Sequence, residues 1–153
     1  MPALRVVLGD QLSNEISSLN SIDAKNDIVL ICEVYAEATY VKHHKKKIAF
    51  LFSAMRHFSE ELRKEKNYQV EYFRLNDPEP MSSFTQAVEK TLANHKIDEI
   101  IVTSPGEYRV LAEINGWQEL FGIPVDIRED NRFLCTQFEF RKWSKDRKTL
   151  RME

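Results

Sequence analysis

The run Ile28-Val29-Leu30-Ile31-Cys32 carries no polar side chain, and Leu4–Leu8, Val70–Leu75 and Glu99–Thr103 are comparable, mostly apolar stretches bounded by turn residues. A strand with one face in water alternates apolar and polar side chains; a strand covered on both faces has no need to. Val125–Arg128 makes a fifth, shorter run. Parallel neighbours must be joined by crossovers, and helical patterns stand between these runs where crossovers are needed. The expected fold class is α/β: an open, five-stranded, mainly parallel sheet with helices on both faces.

The helical patterns are specific. Ile48, Leu51, Phe52, Met55 and Leu62 recur at helical spacing, with Ser59 and Glu60-Glu61 expected toward water. Phe50, Ala54 and His57 add a second, partly apolar stripe, and a helix apolar on two sides is expected to touch two bodies. Ser83, followed three residues later by Gln86, has the form of a capping box ahead of Phe84, Ala87, Val88, Thr91 and Leu92. A further helix is expected after Pro105-Gly106, carrying Tyr108, Leu111, Ala112 and Leu120-Phe121 and ending at Gly122. Gly116 inside it costs about 1 kcal/mol relative to alanine.

The 153 residues suit one domain, and 22 Lys+Arg against 24 Asp+Glu exclude a polycationic nucleic-acid binder. No stretch approaches the roughly 18 apolar residues of a membrane span. Met1–Leu8 enters a strand directly, with no signal-peptide cleavage site. Cys32 and Cys135, both in apolar context, are too few for a disulfide scaffold. A soluble, cytoplasmic protein is expected. Charge is uneven, however: Arg132–Glu153 holds seven basic and three acidic residues together with Phe133, Phe138, Phe140 and Trp143. We therefore divide the chain into an α/β domain, 1–131, and a basic aromatic linker, 132–153. Leu150-Arg151-Met152-Glu153 supplies no closing signal, so further chain is expected beyond it.

Open α/β sheets bind ligands outside the carboxyl ends of their strands, near the point where strand order reverses. Here those ends are Gly9-Asp10-Gln11, Glu33 to Tyr40, Asn76-Asp77 and Ser104-Pro105-Gly106-Glu107. Gly9, Gly106, Gly116 and Gly122 are the only glycines, and they form neither G-x-G-x-x-G nor a P-loop. A G-x-S-x-G elbow and an H-E-x-x-H helix are also absent from the sequence. Gly9 lets a ligand approach the backbone, and Asp10 either accepts hydrogen bonds from that ligand or caps a following helix. Glu33 and Glu37, interleaved with Tyr35 and Tyr40, suit either a flat polar ligand or a solvated loop. Cys32 reads as a small core residue rather than a nucleophile.

Lys42-His43-His44-Lys45-Lys46-Lys47 has two readings. A helix beginning near His43 puts three lysines in its first turn, each opposing the macrodipole by about 0.3–1 kcal/mol, and calls for a nearby anion. A helix beginning near Ala36 makes them a solvated mid-helix face. The two histidines lack a spaced third ligand for a metal.

Three blocks carry a family resemblance: Leu8-Gly9-Asp10-Gln11-Leu12, Cys32 through Val41, and His43 through Phe58. Pro105-Gly106-Glu107-Tyr108-Arg109-Val110, Val125–Arg128 and Arg132-Phe133-Leu134 continue it. They resemble the amino-terminal domain of the deoxyribodipyrimidine photolyase-related proteins, the bacterial iron–sulfur cryptochromes and prokaryotic (6-4) photolyases. The resemblance spans essentially the whole chain.

It implies a Rossmann-like antenna domain that binds 6,7-dimethyl-8-ribityllumazine and is itself non-catalytic. FAD, an iron–sulfur cluster and the DNA-repair chemistry would belong to a larger helical domain of the same chain, absent here. The two-sided helix and the linker would then meet that helical FAD-binding domain, and DNA would be a partner of the full-length protein. The implied lumazine pocket uses Gly9, Asp10, Cys32, Glu37, Tyr40 and Leu51, with Glu37 as hydrogen-bond acceptor and Leu51 against the ring. Gly106 and Glu107 join on the position of their strand end. The competing readings are a free-standing nucleotide-binding α/β enzyme and a nucleic-acid-binding module built on Lys42–Lys47 and the basic tail.

Overall fold

A computed structural model of the chain describes residues 1–147 and 149. Five strands form one sheet: β1 (Ala3–Val6), β2 (Ile28–Cys32), β3 (Gln69–Phe73), β4 (Glu99–Thr103) and β5 (Val125–Arg128). Their order is β3-β2-β1-β4-β5, and every neighbouring pair is parallel. The chain builds outward from β1 to β3, then returns to the other side of β1 for β4. Strand order therefore reverses between β1 and β4, and a crevice opens there. Leu4 pairs with Ile28 on one side and with Ile100 on the other.

Alternation along β1 divides the core. Leu4, Val6 and Leu8 join Leu30, Cys32, Ile100 and Val102 on one face. That face packs on α3 (Phe84–Asn94), α4 (Tyr108–Asn115) and α5 (Trp117–Phe121) through Ala87, Val88, Val110, Ile114 and Trp117. On the other face Val7, Val29 and Ile31 meet Met55, Phe58 and Leu62 of α2 (Lys45–Lys64), with Ile16 and Leu19 filling the edge.

Arg5 interrupts this apolar strand and is only 4% exposed. Its Nε donates to Asp27 at 2.6 Å, and its remaining N–H groups reach the carbonyls of Ser18, Asn20 and Ser21. Asp27 also accepts from the backbone N–H groups of Ala3 and Asp23. The amino ends of the central strands are thus tied by a buried, hydrogen-bonded pair.

Several local expectations change. β3 ends at Phe73 rather than Leu75, because the N–H of Leu75 donates to Glu33 and that of Arg74 to Asp77. As an edge strand β3 is half-buried rather than enclosed. Ser59 is buried, its hydroxyl donating to the Arg56 carbonyl, instead of facing water. The expected long helix after Gly106 breaks at Gly116 into α4 and α5, and its inward residues are Val110, Ile114 and Trp117 rather than Tyr108 and Leu120, which are exposed.

α5 ends at Gly122 in a left-handed conformation (φ 68°), the position where glycine is needed. At α3, Ser83 caps the Gln86 N–H as expected, but the Gln86 side chain returns to Ser82. A short α1 (Tyr35–Thr39) stands apart from α2, whose N-cap is His44. Residues 40–44 separate them, with the β-branched Thr39 at the end of α1 and Val41 within the gap. Lys45, Lys46 and Lys47 therefore do occupy a first helical turn with no acidic residue.

Beyond β5, α6 (Gln137–Ser144) opens with a capping box of Thr136 and Glu139, and its aromatic residues Phe138, Phe140 and Trp143 are exposed. Cys135 is exposed too, not set in apolar surroundings as expected. Lys148, Leu150, Arg151, Met152 and Glu153 of the basic tail lie outside the described residues. Among the described residues no helix is long and apolar enough to cross a membrane.

Candidate functional site

Outside the carboxyl ends of β1, β2 and β4 lies a cleft of about 470 Å³. All eight residues singled out from the sequence border it: Gly9, Asp10, Cys32, Glu37, Tyr40, Leu51, Gly106 and Glu107. Leu8, Gly9 and Cys32 come from the strand ends, and Ile48, Leu51, Phe52 and Met55 from α2. Phe84, Pro105 and Val110 supply further apolar lining. The polar groups are Asp10, Glu37, Tyr40, His43, Lys47 and Glu107. A mostly apolar cleft with a few polar groups is the usual form of a small-molecule site, and its volume lies within the roughly 300–1,000 Å³ of such sites.

The loop after β1 is fixed by Gln11, which is wholly buried. Its side chain donates to the carbonyl of Thr103 at 3.1 Å and accepts from the Leu8 N–H, fastening this loop to the end of β4. Glycine at position 9 is a matter of space. A Cβ there would stand 3.0 Å from Met55 Sδ and 3.7 Å from the Leu51 methyls, pressing on the α2 wall. A Cβ at Gly106 would meet nothing within 4 Å.

No helix starts at Asp10; the next helical element, the short 3-10 turn Ser17–Leu19, has Ile16 at its N-cap, so the capping role does not arise. The exposed Asp10 carboxylate faces Arg132 at 3.7 Å, and Arg132 also donates to the Asp10 carbonyl. Arg132 is chiefly bound to Asp130, which raises the guanidinium pKa and lowers that of the Asp130 carboxyl.

The two glutamates after β2 differ. Glu33 is wholly buried and accepts two hydrogen bonds from Arg56 at 2.6 and 2.8 Å, one from Tyr72 and one from the Leu75 N–H. Burial alone would raise its pKa, but the bonds from Arg56, Leu75 and Tyr72 outweigh that and hold it below the ordinary value. Tyr72 is shifted up, by burial first and by Glu33 next. Glu33 is thus neither ligand nor solvated loop but part of the scaffold.

Glu37 stands at the cleft. It accepts from Arg109 at 2.8 Å; the same guanidinium meets Glu107 at 3.0 Å and lies 4.5 Å above the Tyr40 ring. The hydrogen bond to Glu37, supported by Glu107, raises the Arg109 pKa. Burial, with the neighbouring Glu33 and Asp77 charges, pushes the Cys32 thiol up to about 12, so it offers no thiolate nucleophile at neutral pH.

The α2 amino terminus completes the rim. His44 Nδ1 accepts from the Lys46 N–H at 3.2 Å, and Lys47 and His43 border the cleft. A second cavity of about 660 Å³ separates the β4 and β5 ends from the segment Phe133–Arg141, sharing Pro105 and Gly106 with the first. Of its two carboxylates, Glu129 and Asp130, the second is already taken by Arg132. Among the described residues no cluster of three or more His, Cys, Asp or Glu side chains could hold a metal ion.

The model of the deoxyribodipyrimidine photo-lyase-related protein family matches residues 5–153. The chain belongs to that family. It is also 52% identical, over all 153 residues, to a (6-4) photolyase of Agrobacterium fabrum. It spans only 30% of the length of that relative.

In this family member, sequence reasoning did not find the partners that hold the cleft together. Arg109 lies 72 positions from Glu37, and Gln11 lies 92 from Thr103. Phe52 and Met55 belong by spacing to a helical stripe, and only the fold turns their side chains toward the cleft. A signal for Arg109 did exist: it falls within the block Pro105–Val110 that carries the resemblance.

Proposed function

We propose that the chain is the light-harvesting antenna domain of a photolyase- or cryptochrome-type flavoprotein, and that its cleft holds 6,7-dimethyl-8-ribityllumazine. The observation that carries this reading is the convergence of eight residues from four separate segments on one cleft at the point where strand order reverses. The donor set fits such a molecule. Leu8, Leu51, Phe52, Met55 and Val110 offer apolar surface to a flat ring, and Asp10, Glu37 and Glu107 offer acceptors to ring N–H and ribityl hydroxyl groups.

When bound, the lumazine would supply absorption of near-ultraviolet and blue light for transfer to a flavin. The residues of this chain bind and orient it: Leu51 and Met55 exclude water from the ring, and Glu37 fixes its direction. Light-dependent DNA repair, or blue-light sensing, would belong to the larger protein. In such a protein the helical FAD-binding domain, the iron–sulfur cluster and DNA contacts would lie in the length this chain does not span.

Titrating the purified chain with the lumazine and following its fluorescence tests the reading. Saturable one-to-one binding, weakened in Glu37→Ala, is expected. A wild-type chain that shows no saturable binding contradicts it. The free-standing nucleotide-dependent enzyme gains no support from the cleft, where Cys32 stays protonated, or from the glycines, which form neither G-x-G-x-x-G nor a P-loop.

A further inference from the structure

Residues 37–43 supply Glu37, Ala38, Tyr40 and His43 to one side of the cleft, yet this stretch is lightly held. α1 buries no residue. Its first turn is tied to the body by the N–H groups of Tyr35 and Ala36, which donate to the carbonyls of Met81 and Ser82. Past Ala36 the backbone bonds of Ala38 and Tyr40 stay local, to Val34 and Ala36, and the Thr39 hydroxyl turns back to Tyr35.

Among the described residues, one side chain then connects 37–43 to the rest of the fold by polar contact: Arg109, from the first turn of α4. It donates to Glu37 at 2.8 Å, lies over the Tyr40 ring at 4.5 Å, and is itself oriented by Glu107 at 3.0 Å. Its side chain remains 45% exposed, so water and salt can reach the contact.

We propose that Arg109 is a positioning residue and latch: it holds Glu37 and Tyr40 against the cleft, and the bound small molecule exchanges when this contact opens. The inference rests on the cleft being the lumazine site, but the latch itself does not need the ligand. An exposed ion pair together with one cation–π contact makes such a latch strong enough to slow opening about ten-fold, and weak enough to release.

The test has two readouts. In the ligand-free chain, amide hydrogen exchange over residues 37–43 should rise about ten-fold in Arg109→Ala and less in Arg109→Lys, with α2 unchanged. In the lumazine-loaded chain, release followed by fluorescence should quicken by a similar factor in Arg109→Ala. Added salt should speed release from the wild type and not from Arg109→Ala. Unchanged exchange over 37–43 in Arg109→Ala overturns the latch, as does release with wild-type rate and salt response. If the wild type binds no lumazine, the antenna reading fails, and the ligand-free exchange still decides the latch.

Discussion

Glu33 and Glu37 leave the same strand four residues apart and are put to opposite uses. Glu33 turns toward α2 and β3, loses all contact with water and takes four hydrogen bonds from three residues. Glu37 turns to the cleft, keeps a quarter of its side chain exposed and has one partner, itself nearly half exposed. A carboxylate whose acceptors are filled by its own fold is structural. One left on an apolar cleft with a single, exposed partner can take up a ligand donor. The same contrast separates the two ends of the sheet: the buried Arg5–Asp27 pair closes the amino ends, while the carboxyl ends stay open.

The largest effect is expected where the contrast is sharpest. Glu33→Ala strands the Leu75 N–H and the Tyr72 hydroxyl and should cost about 3 kcal/mol, seen as a melting point lower by roughly 6–12 °C. An unchanged melt would break the distinction between the two carboxylates. Leu51→Trp fills the cleft from the α2 wall. It should lower lumazine affinity by about 100-fold, or about 2.7 kcal/mol, in a fluorescence titration, with little change in the melt.

Glu37→Ala should weaken lumazine binding by about 10- to 30-fold and leave the melting point nearly unmoved, the reverse of its neighbour. The pH response sharpens the point. Because the fold lowers the Glu33 pKa, its contribution is complete above the unfolded carboxylate value of about 4.3 and is lost as pH falls through the lower folded value. Urea melts of wild type and Glu33→Gln should therefore converge on acidification below that value. Gly9→Ala should have the smallest effect, a few-fold loss of lumazine affinity at most. The flexible Met55 end can yield the few tenths of an ångström its Cβ requires.

What the sequence disclosed follows the range of the interaction. The apolar runs located the strands, and Ile28–Cys32, Glu99–Thr103 and Val125–Arg128 match to the residue, because burial on both faces leaves a local mark. Gly122 and Ser83 announced helix ends by their own chemistry. Gly116 marked the weak point at which the expected helix divides. The end of β3 and the burial of Ser59 and Arg5 were not legible. Each depends on a distant partner or on which side of a helix meets the sheet.

The site shows the same limit. The strand ends marked Gly9-Asp10 and Gly106-Glu107 by position, but Leu51, on a helix beyond α1, entered through the family resemblance. Nothing in the local pattern distinguished Glu37 from Glu33; only their partners do.

The central claim is that the cleft is a chromophore site in which Glu37 does the directing. The most direct measurement is the near-ultraviolet and visible spectrum of the purified chain after adding 6,7-dimethyl-8-ribityllumazine and desalting, for wild type and Glu37→Ala. The account predicts a lumazine band that stays with the wild type and is lost from Glu37→Ala, whose melting point is unchanged. No retained band in the wild type, or equal retention in both proteins, would contradict it.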